Sequence, residues 1–241
     1  MKKLTRHWYN IGFFVAIGTL IYLIFNYSNI ELLRRLQLIS FIAMLIHQFE
    51  EYGFPGGEPA IMNIVLQGSD KPDRYPLNQF SAMFTNVLFS YVIYLLPVIF
   101  PNIIWLGIAP MLMGIMQFGV HGIMTNIKMK SIYNPGLGAV VFIHIPVGIY
   151  YLWYIASNNI ATGSDWTIGI IYTIIATVFI LGFLTYVILA NRNTKYVFDE
   201  VEMNRFNVKE KIAKKHIVIK SNSNKTPFAM IEKLKERIKK E

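Results

Sequence analysis

The chain has 241 residues, 54% of them hydrophobic and only 15% charged, and its mean hydropathy is +0.41. Soluble domains carry about a quarter charged residues, so this composition is that of an all-α membrane protein, and the absence of cysteine excludes disulfides, thiolate metal sites and cysteine nucleophiles. The net charge of +9 does not point to nucleic acid, because residues 191–241 hold 14 Lys and Arg against 7 Asp and Glu while residues 1–190 hold 9 against 7.

Residues 1–7 are short and basic, and the apolar run 11–27 behind them is long for a signal-peptide core. Asn26-Tyr27-Ser28-Asn29 is also a poor cleavage site, so the run is read as a retained first span. After Glu31 and Arg34-Arg35, a second apolar run at 36–51 passes unbroken into His47, Glu50 and Glu51, then stops at Gly53 and Pro55. The loop 53–77 is rich in breakers (Gly56, Gly57, Pro59, Pro72, Pro76), with room for a short interfacial turn at 61–66. Spans three and four, at about 78–100 and 103–126, are joined only by Pro101-Asn102 and form a tight hairpin. A basic loop at 128–135 leads to a fifth span at 136–156, and a polar loop at 157–165 to a sixth at 166–190. Runs of about twenty apolar residues can each cross a hydrocarbon core about 30 Å thick. The expected architecture is a bundle of six transmembrane helices over 1–190, followed by a basic tail over 191–241.

With six spans both ends face one side. That side collects Lys2, Lys3, Arg6, Lys71, Arg74, Lys128, Lys130 and the tail, against Arg34 and Arg35 opposite, so both termini are predicted to be cytoplasmic in a multi-pass protein of a bacterial cytoplasmic membrane. In the tail, Thr226-Pro227 opens a segment with apolar residues at 228, 231, 234 and 238 and lysines between them. An amphipathic helix at about 227–240, lying on the anionic inner leaflet, is the expectation.

His47, Glu50 and Glu51 stand at i, i+3 and i+4 and share a helix face. Ionisable groups inside a span are costly and need a reason; one is that the two carboxylates have already reached water at the helix end. The topology offers another. Asn86, His121 and His144, on three further spans, fall with His47–Glu51 within about 8–12 Å of the same interface, at 1.5 Å per residue. Independent core histidines have no cause to share a depth. Gln117, His121 and Thr125 form a polar stripe on span four, with Asn126 just off it; interhelical hydrogen bonding accounts for Gln117 and Thr125. Asn134-Pro135-Gly136 is a turn signal opening span five.

In these residues the chain resembles the bacterial HXXEE-domain membrane proteins. The name-giving motif stands here as His47-Gln48-Phe49-Glu50-Glu51, followed by Asn86, by His121 with Asn126, and by Asn134-Pro135-Gly136. The resemblance covers about 40–155 and implies a multi-pass membrane protein; it brings no activity with it.

Three histidines and two glutamates suit a divalent metal such as Zn, Fe or Mn. His47, His121 and His144 would bind it with Glu50 or Glu51 as a further ligand, leaving the other glutamate as catalytic base on an activated water. Asn86, Gln117, Thr125 and Asn126 would support the ligands from behind. The substrate class is a lipid or another amphiphile reached from the cytoplasmic leaflet, in a hydrolase or oxidase. Two alternatives stand beside it: a small proton- or cation-coupled transporter or binding protein, and a structural protein whose polar cluster only packs helices.

Overall fold

A computed structural model describes residues 2–219; the expected amphipathic helix at about 227–240 lies outside the described residues. The described chain is all-helical, and six of its helices are long and apolar enough to cross a membrane. They are α1 (Lys2–Phe25), α2 (Leu32–Tyr52), α3 (Gln79–Ile99), α4 (Ile104–Met129), α5 (Leu137–Ser157) and α6 (Gly163–Ile188). α2 is the hub: it packs against α1, α3, α4 and α5, and its apolar residues from Leu36 to Leu45 are nearly all buried.

The helix starts follow local side chains. Asn78 caps α3 by accepting from Phe80 N at 3.1 Å and Ser81 N at 3.0 Å, while Ser81 Oγ takes the Asn78 N–H at 3.0 Å. Thr162 and Asp165 make the same reciprocal pair, with Asp165 N to Thr162 Oγ1 at 3.2 Å and Thr162 N to Asp165 Oδ2 at 2.9 Å. α6 therefore begins at Gly163, inside what reads in the sequence as a polar loop. Four of the helices change pitch to π-helical turns, among them Gly119–Thr125 and Val140–His144, which carry His121 and His144. Such widened turns re-aim side chains and recur at functional sites.

The loop after α2 is packed into the protein. Glu58–Ala60 continues into the helical stretch Ile61–Leu66, with Ala60, Ile61 and Asn63 all fully buried. Asn63 holds the loop closed: Nδ2 donates to Pro72 O and Leu77 O at 2.8 Å each, and Oδ1 accepts from Leu77 N at 3.0 Å.

Behind α6 the described part of the tail folds back over the same end of the bundle, with α7 (Glu200–Asn204) and α8 (Val208–Lys214). Gln79 Nε2 donates to Glu202 Oε2 at 2.7 Å, Phe198 N to Asp73 O at 2.8 Å, and Arg6 pairs with Asp199 at 3.2 Å. Arg205 reaches the Tyr52 carbonyl at the end of α2 and the Tyr9 hydroxyl. The first part of the basic tail is thus a cap on the protein. Arg205→Ala is expected to loosen this cap, and faster tryptic cleavage after Lys195 than in the wild type is the measurement that checks it.

Candidate metal centre

α2 delivers His47 and Glu51 from one face, and the π-helical turn of α4 brings His121 against them. All three side chains are buried. Glu51 Oε1 lies 3.4 Å from His47 Nε2 and 3.3 Å from His121 Nε2, and one ligand atom from each residue falls within 4.8 Å of the others. The imidazole rings meet edge to face with centroids 4.9 Å apart.

The far nitrogens fix the chemistry. His47 Nδ1 lies 3.0 Å from the Gly136 carbonyl, which can only accept, so this nitrogen carries the hydrogen. Asn134 Nδ2 donates to His121 O at 2.7 Å and to Asn126 Oδ1 at 2.8 Å, which turns its Oδ1 towards His121 Nδ1 at 2.8 Å. His121 therefore also carries its hydrogen on Nδ1. In the neutral rings both Nε2 lone pairs then face a carboxylate oxygen: three acceptors converge with no hydrogen between them, and His47 Nε2 has no hydrogen-bond partner. A cation resolves this, either a metal ion or protons on the rings. Each histidine–Glu51 pair is spaced at 3.3–3.4 Å, which matches the separation of tetrahedral ligands about 2.0–2.1 Å from a zinc ion; a charge-assisted N–H···O bond usually draws its atoms to about 2.7–2.9 Å. The cluster could hold a metal ion, and the hydrogen bonds from each Nδ1 to an oxygen are the usual outer support of such histidines.

Gly136 is more than a turn residue. Its φ of +98° lies in the left-handed region, and an added Cβ would lie 2.7 Å from His121 Cε1 and 2.8 Å from His47 Cε1. The backbone wedges between the two rings, with Pro135 buried before it.

Glu50 is placed elsewhere. Its Oε1 accepts from Tyr133 OH at 2.7 Å and Gly138 N at 2.9 Å, and its Oε2 from Ala139 N at 2.9 Å. The carboxylate anchors the amino end of α5 and is not among the converging ligand atoms. His144 lies deeper in the bundle, 5.9 Å from the His47 ring and 5.8 Å from Tyr94, packed on Gly114; it too stands apart from those atoms. Gln48 ties α2 to α3 through Ser90 Oγ at 2.7 Å and the Asn86 carbonyl at 3.0 Å, while the Asn86 amide donates to Ala82 O in its own helix at 2.9 Å. Asn126 closes the loop before α5 by donating to Ile132 O at 3.1 Å. Thr125 is buried one turn beyond His121, and Gln117 lines the adjoining cavity.

That cavity, of about 400 Å³, opens beside Glu51 and His121, within the size range of small-molecule sites. Its wall holds a residue that no motif in the sequence marks. Glu58 is 5% exposed, and burial together with the neighbouring Glu51 carboxylate pushes its pKa up to about 8, with His121 pulling the other way. In the sequence it sits in Gly56-Gly57-Glu58-Pro59, a breaker run that reads as loop, and only the fold turns it inward.

Asn134→Leu is expected to weaken metal binding by about 10–100-fold, because it releases the His121 ring from its support; metal titration of the purified variant checks this.

These features define a class: an all-helical bundle with six helices of membrane-crossing length and a buried His–Glu–His cluster that faces a cavity. Residues 38–151 match the family model described as "Protein of unknown function with HXXEE motif". No curated protein and no solved structure matches the chain.

Proposed function

We propose that the protein is a metal-dependent membrane enzyme that hydrolyses an ester or amide of a lipid or other amphiphile at the cytoplasmic leaflet. The observation that carries this reading is the convergence of two Nε2 lone pairs and Glu51 Oε1 on one point beside a cavity. His47, Glu51 and His121 would hold a divalent ion, which when bound polarises a carbonyl and makes water a usable nucleophile near neutral pH. Glu58, on the cavity wall, is placed to take the proton from water and return it to the leaving group. Gly136 and Asn134 keep both imidazoles in the tautomer that leaves Nε2 free, and Glu50 fixes the helix that carries Gly136's neighbours. The test is a hydrolysis screen with acyl and isoprenoid esters and amides on metal-loaded protein in nanodiscs. Glu58→Gln is expected to keep its metal and lose at least about 100-fold in rate, within the 10²–10⁴ that general acid–base catalysis contributes. A variant of unchanged rate would remove Glu58 from the mechanism.

A second reading, proton- or cation-coupled transport, rests on a different observation. Among the described residues, Gln37 Oε1, Ser40 Oγ and Tyr94 OH are buried without a hydrogen-bond partner, the first two earlier on α2 than His47 and the third beside His144. Buried unpaired polar groups call for explanation. Proton uptake into proteoliposomes under an imposed potential, faster than in protein-free vesicles and slowed by Gln37→Leu, would favour transport over hydrolysis.

A further inference from the structure

The approach of α4 and α6 is uneven. Along Gly163–Ile175 the two helices touch, and a Cβ on Gly169 would lie 2.8 Å from Ile108 Cβ and 3.1 Å from the Trp105 carbonyl oxygen. Beyond Ile175 α6 leans on α3 instead, where Thr185 Oγ1 donates to Thr85 Oγ1 at 2.8 Å. A crevice is left between the second halves of α4 and α6.

Its wide part is the cavity of about 400 Å³ at the His–Glu cluster, and deeper in the bundle lies a second pocket of about 90 Å³. Gln117, Val120, Thr177 and Leu181 line both, so the two adjoin. The narrow compartment ends at Met113 and Met116, eight and five residues before His121, or about 12 and 8 Å along the helix. Met116 and Met124, at the rim, are 51% and 41% exposed on the outside of the bundle. The two ends differ in chemistry. Glu51, Glu58 and His121 face the wide part, whereas the narrow part offers little beyond Gln117, because Thr177 Oγ1 already donates to Thr173 O at 2.8 Å. The narrow part is too small for two chains side by side and too apolar for a polar head.

We propose that this crevice binds a single-chain amphiphile, its one hydrocarbon chain extended between α4 and α6 with the last carbons against Met113 and Met116 and the polar head at Glu51, Glu58 and His121. The chain site rests on the function proposed above only for what happens at the head; chain binding itself needs no metal. It narrows the substrate to monoacyl or monoprenyl compounds and makes Met113 the residue that limits chain length.

The test uses a long-chain monoacylglycerol with a diazirine on its terminal carbon, added to the protein in nanodiscs of diacyl phosphatidylcholine and illuminated, with adducts mapped by mass spectrometry. The expected result is several-fold more adduct on Met113, which is buried, than on Met116, Ile123 and Phe179, which face outward. Val120→Trp and Thr177→Trp, which fill the crevice, should each abolish that enrichment. Adducts spread evenly over outward-facing residues, or enrichment that survives both tryptophan variants, overturn the proposal. If neither tryptophan variant is monodisperse, the wild-type map alone decides. Enrichment retained in a protein that holds no metal would sink the hydrolase reading and leave the chain site standing.

Discussion

Detergent-purified protein is expected to carry about one equivalent of zinc, iron or manganese, and His47→Ala, His121→Ala and Glu51→Gln are each expected to lose it. The argument is one of lone pairs. With Nδ1 of His47 committed to the Gly136 carbonyl and Nδ1 of His121 to Asn134 Oδ1, each Nε2 atom faces Glu51 Oε1 across 3.3–3.4 Å. Without a cation that arrangement is repulsive in a buried site. Removing any one of the three leaves two ligands, too few for a stable site, where three or four protein ligands are the rule. Elemental analysis of wild type and variants side by side decides the matter. Metal-free wild-type protein that remains folded and monodisperse would leave protons as the cations and end the metal reading.

Glu50→Ala is expected to act on the fold. Its carboxylate takes two backbone N–H groups at the start of α5 and the Tyr133 hydroxyl, at 2.7–2.9 Å. A hydrogen bond contributes about 0.5–1.5 kcal/mol net, and the alanine variant strands three part-buried donors, so a loss of about 1.5–4.5 kcal/mol is expected. Thermal unfolding in detergent checks this, together with metal content of the fraction that stays folded. Adjacent glutamates should thus separate: Glu51→Gln loses the ion with the bundle intact, and Glu50→Ala loses stability while the folded fraction keeps the ion. Equal metal loss in both would show that the two carboxylates act together.

Much of this was legible in the sequence. Span lengths place all six long helices, and of the residues that the depth argument sets at one level, His47, Glu51 and His121 meet. What it could not resolve is direction around the helix axis. Glu50 and Glu51 differ by about 100° on α2, and only the packing of α5 shows which of them faces the other histidine. His144 shares the depth by count, but a π-helical turn at Val140–His144 sets its orientation, and no sequence pattern marks such turns. The start of α6 was missed although its signal was present: Thr162 and Asp165 stand at capping-box spacing. Glu58 was illegible for a different reason. Its place on the cavity wall depends on the buried course of 58–66, which Asn63 secures through bonds to residues nine and fourteen positions away.

The two imidazoles are steadied by different kinds of partner, one by a side chain and one by the main chain. A point mutation can delete the amide of Asn134, whereas no single exchange can delete the carbonyl at position 136. The histidine on α4 is therefore vulnerable to ordinary substitution, and the one on α2 to a shift in backbone position. An insertion or deletion between 134 and 137 would strike both at once, so tolerance of length changes should be lowest in this four-residue turn.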